Sequence, residues 1–266
     1  MIKKLMLLVY IFGTCCCFAQ DDGMAPQFQL APPMLKYQSA FFSGSTSLEV
    51  LFNQPGATIH YTLNGKEPTQ KDPVYTTAIP INKKTVAKVK AFGNLFLPSE
   101  TESATFIKDG KAIGKILFSK PNEYYANSKP DILHDNIGGI TNYRSGTWLG
   151  YDSDTVTITI DLLKKEIIST ILIDLLQDEN GWIFLPEQVL AYYYNEKQNT
   201  YTQLGRQEFS HSVAGPKQCY ILEISPAQKI ATEQLKLVFS PLKKIPDWHQ
   251  GKGKHGWLFI DEIKVY

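Results

Sequence analysis

Five side chains in this sequence have the type and setting to hold a sugar: Trp148, Tyr151, Trp182, Trp248 and His249. A pyranose carries an apolar face of C–H groups that can lie on an aromatic ring, while imidazoles, amides and carboxylates take its hydroxyls. Each of the five lies in or beside a Gly-bearing loop. The segments are Gly146-Thr147-Trp148-Leu149-Gly150-Tyr151, Gly181-Trp182-Ile183-Phe184-Leu185-Pro186 and Asp247-Trp248-His249-Gln250-Gly251. Trp248 and His249 are the pair expected in water. For Trp148 and Trp182 the competing reading is a large ring that seals the end of a sandwich. Trp257 opens the last strand and reads as core. Lys252 and Lys254 read as solvated loop residues.

A second chemistry sits in the final strand, Trp257 to Tyr266, which carries Asp261-Glu262 between apolar neighbours. Carboxylates on a buried strand must find donors or a cation. On a regular strand these neighbours leave on opposite faces, so they do not form the facing pair that glycoside hydrolysis needs. Asp178-Glu179 reads as a solvated acidic loop. His134, His211, His249 and His255 lack metal-ligand spacing. There is no G-x-S-x-G, H-E-x-x-H or phosphate loop. The expectation is a chain without catalytic activity.

The elements that must position these residues read as strands. Runs of β-branched and aromatic residues recur between Gly, Pro, Asn and Asp: Thr46–Phe52, Thr58–Leu63, Thr85–Phe92, Thr155–Leu162, Ile168–Leu175, Val189–Tyr194, Cys219–Ile224 and Gln234–Phe239. No sustained helical periodicity follows residue 20. That spacing predicts an all-β chain built as sandwiches.

Residues 1–19 read as a signal peptide, with Lys3-Lys4 ahead of an apolar run too short to span a membrane and Cys17-Phe18-Ala19 as the cleavage region. Lipid anchoring through Cys15, Cys16 or Cys17 is the alternative. Removal of this segment leaves Cys219 alone, so no disulfide framework is expected, and Cys219 reads as a small buried hydrophobe. Residues 20–32 are polar and Pro-rich and read as a flexible leader. One β-domain covers residues 33–107, a linker 108–115, and a second β-domain 116–266. The formal net charge of +1, with acids and bases interspersed, gives no nucleic-acid footprint. No later run suits a transmembrane helix.

Residues 33–107 resemble the chitobiase/β-hexosaminidase C-terminal domain family. The resemblance rests on Gly56, Ile59-His60-Tyr61-Thr62-Leu63-Asn64-Gly65, Glu67-Pro68-Thr69, Tyr75, Ile79 and Thr85 to Ala91. It implies an immunoglobulin-like sandwich that carries no catalytic residues and serves as a spacer. Residues 116–266 resemble the discoidin, or coagulation factor five/eight type C, domain with its galactose-binding-like fold. That resemblance rests on Asp135 with Gly138-Gly139, Trp148, Ile158 to Leu162, Trp182 to Pro186 and Trp257 to Tyr266. It implies an eight-stranded jelly roll with ligands on loops at one end, and a structural calcium held through Asp135 and Glu262. A hard cation wants several oxygens at once, which a Gly-rich loop can supply from its carbonyls. The competing reading is that Asp135 caps a turn and Glu262 meets a Lys, an Arg or a backbone donor.

The function expected is that of an exported, carbohydrate-binding accessory protein. Its partner would be a glycan or an amino-sugar-containing polysaccharide, beside a glycoside hydrolase. Two alternatives stay open: a protein–protein scaffold, and the non-catalytic C-terminal part of a β-N-acetylhexosaminidase.

Overall fold

The computed structural model describes residues 28–266. The predicted signal peptide, Cys15, Cys16, Cys17 and the start of the predicted leader lie outside the described residues. Sixteen strands follow one another: β1 Met34–Lys36, β2 Phe41–Phe42, β3 Thr46–Leu51, β4 Ala57–Thr62, β5 Ile79–Ile81, β6 Thr85–Gly93, β7 Glu102–Lys108, β8 Ile113–Phe118, β9 Leu149–Tyr151, β10 Val156–Ile168, β11 Ile171–Gln177, β12 Gln188–Asn195, β13 Thr200–Glu208, β14 Gln218–Ile224, β15 Ile230–Ser240 and β16 Leu258–Val265. The only helical pieces among the described residues are two 3₁₀ turns, Glu123–Tyr125 and Glu179–Gly181. Among the described residues no helix is long and apolar enough to cross a membrane.

β1 to β7 form the first sandwich. A three-stranded sheet, ordered β1-β3-β5, packs on a four-stranded sheet ordered β2-β7-β6-β4. In β6 the residues Ala87, Val89 and Ala91 are fully buried, while Val86, Lys88 and Lys90 are half-buried, the alternation expected of a strand with one buried face. The chain bends out of β4 at Asn64-Gly65. Gly65 takes φ 77°, and the Asn64 side chain accepts from the Lys66 amide.

β8 to β16 form the second, antiparallel sandwich. One sheet is ordered β13-β12-β15-β10-β8 and the other β14-β11-β16-β9. The layers meet through Ile158 and Ile160 of β10, Leu235 and Leu237 of β15, Ile173 and Leu175 of β11, and Ile260 and Ile263 of β16, all at 0% exposure. The described strands number nine rather than the eight that the resemblance implies, β9 being a three-residue edge against β16. Ile168, read from its composition as the start of a strand, instead ends β10. The turn at Ser169-Thr170 separates it from β11, and both amides donate to the Tyr266 carbonyl.

The composition of residues 28–32 suggests a free leader, yet Leu30 is buried, its amide donates to Leu97 O and Phe28 O accepts from the Leu97 amide. The predicted linker is equally short of freedom. β7 and β8 leave only Asp109–Ala112 between them, and Asp109 N and Lys111 N donate to Phe42 O and Val265 O. Phe41 from the first sandwich packs with Leu172, Ile221 and Tyr266 from the second.

Candidate functional site

One end of the second sandwich gathers three loops: 178–187 after β11, 209–217 after β13, and 241–257 before β16. The tight 3₁₀ turn Glu179–Gly181 leaves Trp182 in the left-handed region at φ 64°. A bulky residue there is strained, and such strain concentrates where a side chain is being aimed. Trp182 is half-buried, edge-on to His249 with centroids 6.2 Å apart. A Cβ on Gly251 would come within 3.0 Å of the indole, so this glycine lets the loop close on the ring.

Trp248 is 40% exposed. Its Nε1 donates to the His211 carbonyl at 2.9 Å, and its ring tilts against Phe184 and meets His249 edge-on. The indole is therefore fixed and still has surface in water. His249 is only 7% exposed. Its Nδ1 accepts from Gly251 N at 3.0 Å, which leaves Nε2 to donate to Glu179 O at 2.9 Å. Both nitrogens are engaged within the protein, so His249 positions the loop and has nothing free for a hydroxyl.

Two more of the expected contacts prove to be interior. Trp148 is 2% exposed, with Nε1 bonded to Ile140 O at 3.0 Å, and belongs to a cluster with Leu176, Ile183 and Phe259. Tyr151 is 1% exposed inside the main core. Tyr151, in β9, fills space between the layers, whereas Trp148, just before β9, packs on the other side of that sheet against Phe259 and the loop at Gly139. Asp178 and Glu179, read as solvated, are also buried. Asp178 pairs with Lys217 at 2.8 Å, and Glu179 accepts from Gln177 Nε2 and Gly215 N, each at 2.9 Å. They tie the loop after β11 to the loop after β13.

The acids of β16 sit elsewhere, on the outer face of the four-stranded sheet. The register between β11 and β16 runs from Ile173↔Ile263 to Leu175↔Ile260, a bulge that sets Asp261 and Glu262 opposite Asp174 alone. With Ile260 and Ile263 both in the core, both acids turn to the other face. That overturns the opposite-face expectation for this pair. The loop at Asp135–Gly139 lies over them, and Ile263 N donates to Leu133 O. Ile137 N donates to Asp135 Oδ1 at 2.9 Å and to Glu262 Oε1 at 3.2 Å, so Asp135 and Glu262 do meet. Lys264, 4% exposed, places its ammonium 2.6 Å from Glu262 Oε2.

Burial pushes Asp261 up to about 10, helped by the nearby Asp174 and Glu262 carboxyls. Burial also raises Glu262, to about 7, against the pull of Lys264. Asp174 moves well up from burial and from Glu262. Cys219, in β14, rises to about 12 through burial and these acids, and donates to Gly139 O, so it is an inert thiol rather than a nucleophile. Asn136 Oδ1 is buried with no hydrogen-bond partner, Asp135 Oδ2 has only the Lys129 ammonium 3.7 Å away, and the Asp261 carboxyl has at most the Gly139 amide. This all-oxygen set, carrying more acids than bases, fits a hard divalent cation. No group of three His, Cys, Asp or Glu in metal-holding geometry occurs among the described residues, so the amide of Asn136 and backbone carbonyls would have to complete such a site.

Residues 37–103, inside the first sandwich, match the family described as the chitobiase/beta-hexosaminidase C-terminal domain. No curated protein matches the chain. Among solved structures, the chain is similar to a fucosidase of family GH29 from Ruminococcus gnavus in complex with fucose. The identity is 15% over 57% of this chain and 24% of that one, at a TM-score of 0.34, so the chain spans about a quarter of that enzyme's length. It is also similar to the CBM32-1 domain of a family 31 glycoside hydrolase from Clostridium perfringens, 14% identical over 57% of this chain and 94% of that one, TM-score 0.37. A CBM32-6 domain produced by Clostridium perfringens is 16% identical over 57% of this chain and 94% of that one, TM-score 0.35.

Proposed function

We propose that this protein, a chitobiase/β-hexosaminidase C-terminal domain followed by a discoidin-like sandwich, is an exported, non-catalytic carbohydrate-binding protein that assists glycan breakdown or attachment. The observation that carries the reading is Trp248. A fixed indole, 40% exposed at the loop end of a sandwich, suits the C–H face of a pyranose. Trp182 beside it adds a half-buried second ring. Asp178 and Glu179 near this rim are turned inward to hold loops, which supports binding over hydrolysis. The family match of residues 37–103 supports work alongside a hexosaminidase-type enzyme on amino-sugar glycans.

The test is a glycan array and titration with wild type and Trp248→Ala. Wild type binds one or more neutral or amino-sugar glycans at micromolar to millimolar strength, and Trp248→Ala weakens this about tenfold or more. Equal binding by both proteins removes the site. We further propose that Asp135, Asn136 and Glu262 hold a structural calcium, which melting with and without chelator tests.

A further inference from the structure

The connection from β8 to β9 runs from residue 119 to 148. Connections beyond roughly 12–15 residues are uncommon in compact domains unless they do something. Two stretches of this one fold against each other, tied by Asn127 Nδ2 to Gly146 O at 2.8 Å. Each tip is pinned by its own asparagine. Tyr124 N donates to Asn122 Oδ1, and Arg144 N to Asn142 Oδ1, both at 3.1 Å. Between them lies a hollow of about 340 Å³, lined by Tyr124, Tyr125, Tyr143, Arg144 and the edge of Trp148.

Its floor is rigid. Tyr125 packs edge-on against Phe259, Trp257 and Tyr143, with centroids 4.9, 5.2 and 6.0 Å away. Its wall is open. Tyr124 is 89% exposed, an unusual cost for a ring that could have packed beside its neighbour. The Arg144 guanidinium lies over the Tyr143 ring at 5.3 Å and has no carboxylate within ion-pair distance among the described residues. The chain's other arginine, Arg206, pairs with Glu208. A guanidinium lying over an aromatic ring, its fork of donors unused, matches a carboxylate in two-point geometry. An exposed tyrosine ring next to it matches a sugar face.

We propose that the hollow between Tyr124 and Arg144 is a second saccharide site, specific for a pyranose that bears a carboxylate: a hexuronic acid residue in a polysaccharide. Arg144 takes the carboxylate and Tyr124 the ring. The proposal rests on the reading that the chain meets glycans, but on residues separate from Trp248.

Affinity electrophoresis in gels of polygalacturonate, compared with the same polymer after reduction of its carboxyls, tests it. Wild type is retarded by the native polymer and not by the reduced one, and added salt weakens the effect. Arg144→Met and Tyr124→Ala each reduce the retardation at least tenfold while melting as wild type does, because both side chains are exposed. Trp248→Ala is retarded like wild type. No retardation of wild type, equal retardation by the reduced polymer, or full retardation of Arg144→Met overturns the proposal. Loss of retardation in Trp248→Ala alone also overturns it, by placing the contact at the other rim. Neutral glycans lost in Trp248→Ala bear on the first site only.

Discussion

Two parts of the second sandwich both depart from a plain apolar core, in opposite ways. Under the loop at Asp135–Gly139, four carboxyl groups and an ammonium are shut away from water: Asp135, Asp174, Asp261, Glu262 and Lys264. At the loop rims, Trp248, Tyr124 and Arg144 are left in water although two of them are aromatic. The first set spends its polarity inside the protein and so serves to hold it together. The second has polarity and apolar surface unspent, which is what a ligand needs. Type alone does not separate the two sets: Trp148 and Trp248 are the same residue, but one is interior and one is at the edge.

The largest effect expected from this contrast is at Lys264. Its ammonium faces Glu262 in a buried setting, and removal of one partner leaves the other charge uncompensated, at a cost of about 3–5 kcal/mol. Lys264→Met should lower the melting temperature by roughly 10 °C, on the scale of about 2–4 °C per kcal/mol for a domain this size. Lys84→Met is the control. Lys84 pairs with Glu223 across the two sandwiches, but both side chains are about half-exposed, so its loss should cost less than about 1 kcal/mol. Equal shifts for the two variants would erase the distinction between the shut-in layer and the surface.

Calcium removal comes next. If Asp135, Asn136 and Glu262 hold the ion, a chelator should lower the melting temperature by the equivalent of about 3 kcal/mol when free calcium had been some hundredfold above its dissociation constant. No shift on chelation would leave Lys264 as the main counter-charge to Glu262 and end the calcium proposal. Glu262→Gln separates the cases, because it should abolish any chelator response while leaving the Lys264 ammonium a neutral acceptor.

How far the sequence reached differs between these regions for a physical reason. Strands such as Thr85–Gly93 and the first half of β10, Val156 to Leu162, announce themselves because their side chains alternate at period two against one buried face. β13, from Thr200 to Glu208, does not: it is an edge strand with Leu204 alone fully inside, and its composition is that of a loop. The meeting of Asp135 with Glu262 follows from the resemblance. That Asp261 shares their face could not be read, since a one-residue slip against Asp174 decides it and leaves no local mark in the sequence. Exposure at Trp248 was legible from its Asp, Gly and Lys neighbours. The interior placement of Trp148 is the competing reading its sequence already offered, with Gly139 permitting the close approach, whereas that of Tyr151 was hidden because a Gly-bearing segment reads as a loop. Tyr124, Tyr143 and Arg144 went unmarked because their setting depends on two distant loop stretches folding together.

Gly139 offers a smaller and sharper test of the shut-in layer. A Cβ there would fall 2.2 Å from Trp148 Cζ2, well inside contact distance. Gly139→Ala should cost about 2 kcal/mol by overpacking, measured by denaturant titration. Gly146→Ala, in the open loop beside Arg144, meets no atom within 4 Å, and its cost should come only from its φ of +83°. If Gly139→Ala proves as mild as a surface change, the loop is not pressed onto the indole, and the sealing of the acids beneath it loses its basis.

The smallest expected effect on stability is at the rim, and there it is the binding that should move. Trp248 contributes a contact to Phe184 and one bond to the His211 carbonyl, so Trp248→Ala should cost about 1 kcal/mol, within the range of partly exposed substitutions. Trp248→Phe keeps a ring and loses the indole N–H, so it should retain much of the glycan affinity while giving up the anchor to His211. His249→Ala draws the opposite pattern: both imidazole nitrogens serve the loop, so it should destabilise the fold and weaken glycan binding only as the loop loosens. A Trp248→Ala protein that melts early but binds glycans normally would reverse the assignment, making Trp248 another interior ring and removing the contrast on which the binding reading stands.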